Sequence, residues 1–278
     1  SNSAMLLSTL IRALRGWVPA RWKTELRVLY HIVCHSVRGA THKERLDSFY
    51  GAQADGYDEF RRRLLNGREQ LMDAVGSRAQ GGIWVDMGGG TGANLDMAGD
   101  EVVMSFARIY IVDLCSPLLQ KARERCAERG WHHVEIVEAD ATTWVPDEGL
   151  GRADLVTFSY SLSMIPDWFA AIDHAIQLLE PTGLLGVVDF YVARKYAGSR
   201  GGAARHSYVQ RSLWPYYFAH DDVHLSSDHL PYLQSKMEVI ELVEASAGLP
   251  YLRFLLPPVP YYVLVGTPKA QANGAFKE

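Results

Sequence analysis

A chain of 278 residues with 48% hydrophobic and 22% charged residues has the length and composition of a globular protein with a large core, not of a disordered or fibrous one. No apolar run reaches the about 18 residues of a membrane span, and the three cysteines form neither a Cys-x-x-Cys pair nor a disulfide framework. The composition therefore predicts a cytoplasmic protein rather than a secreted or transmembrane one.

The first 45 residues differ from the rest in charge. Ser1 to Ala4 precede Met5 and resemble the remnant of a cleaved tag, so the predicted extension is residues 5–45. Residues 1–45 carry eight Lys and Arg against two Glu, a balance of +6, which leaves −10 for the remainder because the net charge is −4. Apolar residues at helical spacing predict amphipathic helices here. Two interpretations stay open: the helices pack on the domain or on a second subunit, as in a homodimer, or they lie on an anionic membrane surface as a peripheral contact.

Residues 46–75 form a second predicted helical region. It contains the aromatic-rich segment 49–58, with Tyr50 and Tyr57, and then the basic triplet at residues 61–63. No stripe of aromatic and cationic residues continues that triplet, so it indicates a solvated helix face rather than a nucleic-acid contact.

A glycine-rich turn follows the first predicted strand. The apolar run that starts at Ile83 ends at Asp86, and Gly88, Gly90 and Gly92 come at every second position before a helix that opens at Ala93. Glycines can take positive φ and let a ligand approach main-chain N–H groups closely. The pattern predicts a strand-to-helix turn that binds a nucleotide-like ligand.

Two further acids come at the ends of the next two predicted strands. Residues 109–112 lead into Asp113 and Leu114, and residues 134–137 are followed by Asp140 and Ala141. The spacing is 27 residues from Asp86 to Asp113 and 27 from Asp113 to Asp140, one strand–helix–strand unit each. In a parallel sheet these acids would lie at one edge, where ribose hydroxyls bind. Between them, Ser116 and Pro117 are expected to open a helix that ends at Gly130.

The remaining chain is predicted to complete a sheet. A fourth strand at 153–158 leads into Ser159 and the loop 161–168, and a helix at about 167–179 precedes a fifth strand at 184–188. Residues 192–236 have no regular pattern and many aromatic side chains, so they predict a cover insertion. A helix at 237–247, closing strands at 252–256 and 261–265, and a flexible tail at 268–278 follow. The cover histidines, His220, His224 and His229, lack a recognised zinc spacing, so no metal site is predicted.

The order of acid, Gly88, Gly90, Gly92, Asp113 and Asp140 resembles class I S-adenosylmethionine (SAM) methyltransferases. The resemblance implies an α/β fold with a Rossmann-like seven-stranded sheet, helices on both faces, a last strand that is antiparallel, a helical N-terminal extension and a cover insertion after strand five. It also implies that SAM is bound and S-adenosylhomocysteine is released, with Asp113 on the ribose and Asp140 at the adenine amino group. The implied cofactor-binding residues are Asp86, Gly88, Gly90, Gly92, Asp113, Leu114, Asp140, Ala141 and Ser159.

A narrower resemblance comes from residues 49–58, 160–168 and 214–233, with 248–251 and 260–262. Together these resemble the N-methyltransferase half of betaine lipid synthases, which trimethylates the amine of a diacylglyceryl-homoserine headgroup, and the resemblance covers residues 46–267. It implies an amino-acid-like or lipid-headgroup amine as methyl acceptor. Aromatic rings could hold the sulfonium and the growing methylammonium by cation–π attraction. The implied catalytic residues are Tyr50, Tyr57 and Trp214, and the implied substrate-binding residues are Ser161, Met164, Trp168 and Tyr217.

Two other hypotheses stay open. The same fold could methylate an oxygen, carbon or nitrogen atom of another small molecule, with the basic extension serving dimerisation. Alternatively, the chain could be a non-catalytic SAM-binding scaffold.

Overall fold

The computed structural model describes residues 39–51, 64–79, 81–194, 206–219, 222–249 and 256–269, and only the backbone of residues 48–51. Tyr57, His220, most of the predicted extension, most of the predicted strand at 252–256 and nearly all of the predicted tail lie outside these residues, and so does the side chain of Tyr50. The predicted boundary between residues 45 and 46 falls inside a helix.

Seven strands form one sheet in the order β3-β2-β1-β4-β5-β7-β6. Strands β1 to β5 pair in parallel, and β7 is antiparallel to both of its neighbours. This confirms the seven-stranded prediction with its antiparallel last strand. The strands are β1 Ile83–Met87, β2 Arg108–Asp113, β3 Val134–Glu138, β4 Ala153–Ser159, β5 Leu179–Phe190, β6 Met237–Ala247 and β7 Val259–Pro268.

The helices of the described residues are α1 His42–Gly51, α2 Arg68–Gly76, α3 Ala93–Ala98, α4 Asp100–Ser105, α5 Ser116–Arg129, α6 Trp168–Leu178, α7 Tyr208–Ala219 and α8 His229–Lys236. They cover both faces of the sheet. Residues from α2, α5 and α7 contribute to the apolar cluster on one face, and residues from α6 and α8 contribute to the cluster on the other. None of these helices is long and apolar enough to cross a membrane.

The prediction of a helix at 237–247 is wrong, because these residues form β6 and pair antiparallel with β7. Glu238, Glu241 and Glu244 recur every three residues, which imitates the polar face of a helix. The register shifts between Val239 and Glu241, so the alternation of a strand is interrupted. Pairing with β7, together with the strand preference of the Val and Ile residues in the segment, decides the conformation.

Smaller differences concern element boundaries. β5 begins at Leu179, directly after α6, whereas the sequence predicts that it begins at residue 184. The cover contains two helices, α7 and α8, in a region predicted to be irregular. Helix α5 has Cys115 rather than Ser116 at its N-cap, and Gly130 ends it in the left-handed conformation, with φ of 68°.

Candidate functional site

A cavity of about 410 Å³ opens at the carboxyl ends of the parallel strands, where β1 lies between β2 and β4. The chain leaves β1 in one direction along the sheet and returns to β4 on the other side, which is where open α/β sheets bind ligands. The predicted site residues that line this cavity are Gly88, Gly90, Asp113, Leu114, Asp140, Ala141, Ser159, Ser161 and Met164.

The glycine loop forms one wall of the cavity. Gly88, Gly90 and Gly92 all have positive φ, of 68°, 56° and 71°. A Cβ atom on Gly88 would lie 2.4 Å from the Cβ atom of Ser161, so the loop can approach β4 this closely only without a side chain. Gly92 does not line the cavity but is the N-cap of α3. The loop therefore needs glycine for its backbone conformation and, at Gly88, for close packing.

Asp113 is held in place by the backbone. Its Oδ2 accepts the N–H of Gly90 at 2.9 Å, and its Oδ1 accepts the N–H of Cys115 at 2.8 Å. Asp140 is fixed differently, since its Oδ1 accepts both the N–H and the hydroxyl of Thr142, at 2.8 and 2.7 Å. Each carboxylate oxygen can accept more than one hydrogen bond. Both side chains are thus oriented at the cavity wall and retain acceptor capacity.

Asp86 lies beneath the cavity and does not line it. It is fully buried, and it accepts hydrogen bonds from Asn94 Nδ2 at 2.9 and 3.0 Å and from the Thr157 hydroxyl at 2.7 Å. Burial raises the pKa of Asp86 from 3.8 to about 6, against the lowering effect of these hydrogen bonds. Asn94 Oδ1 in turn accepts from Arg68 Nη2 at 2.7 Å. Asp86 therefore orients Asn94 and, through it, Arg68.

The loop after β4 forms the opposite wall. The Ser161 hydroxyl donates to Met87 O at 2.8 Å, and Ser159 Oγ accepts from Arg68 Nε at 3.1 Å. Tyr160 lies between them with φ of 57°, which is strained for a residue with a side chain, and its hydroxyl donates to Asn66 O at 2.5 Å. Strain held by surrounding contacts is common where a chain approaches a ligand.

A buried acid supports this loop from below. Asp189, at the end of β5, accepts the N–H of Ser163 at 2.9 Å and the N–H of Phe190 at 2.7 Å. Burial raises the pKa of Asp189 to about 6. The 3-10 turn Leu162–Met164 is thus tied to β5, which holds Ser161 and Met164 against the cavity.

Three aromatic residues that the sequence predicts in the site lie elsewhere. Trp214 is fully buried, and its Nε1 donates to Pro258 O at 3.2 Å. Tyr217 packs edge-on against Trp214, with ring centroids 5.8 Å apart. Trp168 packs against His229 on α8, with centroids 4.6 Å apart. None of the three lines the cavity, because their apolar rings pack between the cover and the sheet instead.

The structure adds residues to the cavity wall that sequence reasoning missed, namely His42, Leu46, Arg68, Asn94, Thr142 and Asp167. His42 and Leu46 are four residues apart and share one side of α1. Asn94 could have been noticed as the second residue after the glycine turn. Nothing in a single sequence marks His42 or Arg68, because their helices reach the cavity only through tertiary packing.

Among the residues that the structure describes, no three His, Cys, Asp or Glu side chains are grouped so that they could hold a metal ion.

Comparisons with known proteins show to which family the chain belongs. Residues 57–239 match the methyltransferase domain family. Aklanonic acid methyltransferase DauC of Streptomyces sp. strain C5 is 23% identical over 147 residues, 53% of this chain and 66% of that protein. Trans-aconitate 2-methyltransferase of Escherichia coli is 32% identical over 81 residues, 29% of each chain. The chain thus spans less than two thirds of the length of either relative.

A solved structure has the same fold. Phosphoethanolamine N-methyltransferase 2 of Haemonchus contortus, in complex with SAM, superposes with a TM-score of 0.62 at 12% identity, over 84% of this chain and 61% of that one. The family match covers more than half of the chain. The chain therefore belongs to the methyltransferase domain family and has the fold of class I SAM-dependent methyltransferases.

Proposed function

We propose that the protein transfers methyl groups from SAM to the amine of an amino-acid-like molecule or a lipid headgroup of the diacylglyceryl-homoserine type. The reaction is an in-line displacement: the nitrogen lone pair attacks the methyl carbon, the carbon–sulfur bond breaks, and its electrons stay on sulfur, which gives S-adenosylhomocysteine. Such a step chiefly requires alignment of the two reactants, so the protein needs no covalent nucleophile.

The cofactor is proposed to lie across the ends of β1, β2 and β3. In this arrangement its amino-acid end rests on the glycine loop, the ribose hydroxyls donate to Asp113, and the adenine amino group donates to Asp140. The guanidinium of Arg68, at the same wall as Gly88, complements the cofactor carboxylate. Support comes from the oriented carboxylates of Asp113 and Asp140, which face one cavity.

The observation that best supports an amine as the methyl acceptor is an acidic residue at the mouth of the cavity. Once Asp113 and Asp140 are assigned to the cofactor, Asp167 is the remaining carboxylate in the described part of the cavity wall. It is exposed and follows directly on Ile165 and Pro166 at the rim. A carboxylate at this position attracts a cationic ammonium and disfavours an anionic acceptor.

Mass spectrometry of products tests the acceptor. The wild type would be incubated with SAM and separately with homoserine, diacylglyceryl-homoserine in vesicles, phosphoethanolamine and trans-aconitate. We expect stepwise methylation of an amine, and we expect Asp167→Asn to raise KM for that amine while the affinity for S-adenosylhomocysteine stays unchanged. Methylation of trans-aconitate with every amine unmodified would contradict the proposal.

A second candidate is O-methylation of a small carboxylic acid. It is favoured by the names of the two curated relatives, which act on aklanonic acid and trans-aconitate. The same product panel separates it from the leading proposal. A protein that binds S-adenosylhomocysteine but methylates nothing in the panel would favour the non-catalytic scaffold.

The basic extension at residues 5–45 is proposed to bring the enzyme to an anionic lipid surface. Each basic residue near such a surface contributes at most about 1 kcal/mol, and salt screens it, so binding would be weak and reversible. Vesicle sedimentation would compare the full chain with one that begins at Gly39, which keeps α1. We expect salt-sensitive binding to anionic vesicles that truncation removes. A change of oligomeric state on truncation, with no vesicle binding by either form, would assign the extension to a dimer contact instead.

A further inference from the structure

His42 is held at the cavity wall by two residues that follow it on α1. Lys43 Nζ donates to Leu114 O and to Ser116 Oγ, both at 2.8 Å, which ties the helix to the loop after β2. Arg45 Nε donates to Asp222 Oδ2 at 3.0 Å, which ties the helix to the cover. His42, at the start of the same helix, lines the cavity.

Asp222 provides a carboxylate behind the imidazole. Its φ of 59° is unusual for a residue with a side chain, and its Oδ2 lies 3.9 Å from Nδ1 of His42. That nitrogen is buried and has no hydrogen-bond partner among the described residues. The distance is longer than a hydrogen bond, so the carboxylate acts on the imidazole through charge. An imidazole with an acid behind one nitrogen can accept a proton on the other.

The other ionisable side chains of the described cavity wall are less suited to accept a proton. Asp113 and Asp140 already accept hydrogen bonds from the protein and face the proposed cofactor position. Arg68 is a permanent cation, and the exposed Asp167 is the carboxylate proposed to attract the ammonium group at the mouth of the cavity. Burial raises the pKa of Tyr160 well above its usual value of 10.0, so its hydroxyl stays protonated.

The surroundings of His42 favour its neutral form. Burial lowers its pKa from 6.5, and the nearby side chains of Arg45 and His224 lower it further, whereas Asp222 and Asp140 act in the opposite direction. A neutral imidazole in a cavity wall can take up a proton at the pH at which an alkyl amine is still protonated in water.

We propose that His42 is the general base of the reaction and that Asp222 is its positioning residue. The inference rests on the proposed amine acceptor. The ammonium group of the acceptor gives one proton to Nε2 of His42, the ring nitrogen that does not face Asp222, and the resulting neutral amine attacks the methyl carbon of SAM. Asp222 stabilises the imidazolium, which releases its proton to solvent after S-adenosylhomocysteine and the methylated product leave.

The first experiment needs no acceptor. The His42 imidazole would be titrated by NMR in the complex with S-adenosylhomocysteine, in the wild type and in Asp222→Asn. We expect a midpoint below 6.5 in the wild type and a lower one in Asp222→Asn, because removal of the negative charge disfavours the imidazolium. A midpoint well above 7.5 in the wild type would overturn the proposal, because such an imidazole is mostly protonated at neutral pH and cannot accept a proton there. A midpoint that Asp222→Asn does not move would also overturn it. Both outcomes hold whether or not any amine in the panel is methylated.

The second experiment measures kinetics with the panel amine that the wild type methylates. We expect His42→Gln to lower kcat by about 100-fold or more, to remove the rise of rate with pH, and to leave the affinity for S-adenosylhomocysteine within about twofold. His132→Gln, at an exposed turn before β3, is the matched control and should behave as the wild type. A nearly unchanged kcat in His42→Gln would overturn the proposal, and so would a loss of cofactor affinity that matches the loss of rate. A wild type inactive on every amine would instead count against the proposed function and leave the NMR result to decide on His42.

Discussion

The cofactor half of the sheet, residues 83–142, and the cover half, residues 189–249, differ in how far local sequence decides the structure. In the cofactor half each strand ends at a glycine turn or an acid, and the side chains that shape the cavity follow those ends directly. In the cover half, the positions of aromatic and acidic side chains depend on which distant strand or helix they contact. Residues that line the cavity can therefore be predicted from sequence in the first half, whereas side-chain positions in the second half follow only from packing.

The largest expected effect on cofactor binding tests the cofactor half. Gly88→Ala would place a Cβ atom 2.4 Å from Ser161 Cβ at a φ of 68°, so the glycine loop must shift away from the loop after β4. We expect the affinity for S-adenosylhomocysteine, measured by calorimetry, to fall by about 100-fold, a loss within the about 1–3 kcal/mol expected when polar groups lose their partners.

Gly130→Ala is the matched control for this change. Gly130 has the same φ of 68°, but a Cβ atom there would meet nothing within 4 Å. It should cost only the about 1–2 kcal/mol of left-handed strain in the free energy of unfolding and leave cofactor affinity unchanged. Equal cofactor losses in both variants would mean that strain, not the close approach to β4, explains Gly88.

The next effect concerns a buried histidine in the cover half. His229 is fully buried against Trp168, and neither ring nitrogen has a hydrogen-bond partner among the described residues. Burial lowers the pKa of His229 from 6.5 to about 4. The folded state disfavours the charged ring, so protonation of His229 favours the unfolded state. The free energy of unfolding is therefore highest above pH 6.5 and decreases as the pH falls toward about 4.

The free energy of unfolding of His229→Phe should therefore rise relative to that of the wild type as the pH falls. We expect the difference in free energy of unfolding, from urea titrations at several pH values, to grow by about 3 kcal/mol as the pH falls through that window. His132→Gln, at an exposed turn, is the control for the removal of an imidazole. A difference that does not vary with pH would contradict the buried, neutral state of His229.

A third test examines the strand at 237–247, where the sequence prediction was wrong. A Cβ atom on Gly266 in β7 would lie 2.6 Å from the backbone oxygen of Glu238 in β6, a clash that exists only if the two strands pair. We expect Gly266→Ala to lower the free energy of unfolding by about 1–3 kcal/mol. Gly76→Ala, at the end of α2, controls for the substitution itself, because a Cβ atom there would meet only the side chain of Val102, at 3.0 Å. No loss beyond that of the control would favour the helix that the glutamate spacing suggests.

The smallest effect lies where α1 meets the cofactor half. Lys43 Nζ lies 2.6 Å from Glu138 Oε1, and the hydrogen bond from Lys43 is the largest cause that lowers the pKa of Glu138. Both side chains are about 40% exposed, so solvent screens the pair. A double-mutant cycle with Lys43→Met and Glu138→Gln should give a coupling of about 0.2–1 kcal/mol that shrinks at high salt. A larger, salt-independent coupling would mean that α1 is attached more firmly than the exposed pair allows.

The sequence predicts the structure of the cofactor half better than that of the cover half. Strands β1 to β4 and helix α5 match their predicted ranges within two residues because turn glycines, proline and apolar runs mark their ends. The strand at 237–247 was missed because a bulge and the glutamate spacing hide its alternation. Trp214 and Trp168 were predicted at the site because aromatic rings can hold the sulfonium and the methylammonium by cation–π attraction, yet both rings pack against other apolar and aromatic side chains instead. His42 and Arg68 were missed because long-range packing brings them to the cavity.

The most direct test of the account is a calorimetric titration of S-adenosylhomocysteine into the wild type, Asp113→Ala and Asp147→Ala. Asp147 is an exposed acid in the loop before β4 and does not line the cavity, so it is the matched control. We predict that the wild type and Asp147→Ala bind equally and that Asp113→Ala loses about 1–3 kcal/mol of binding free energy, because the ribose hydroxyls and the N–H of Gly90 lose their acceptor. Unchanged affinity in a folded Asp113→Ala, or no binding by the wild type, would contradict the placement of the cofactor on which every other assignment in the cavity depends.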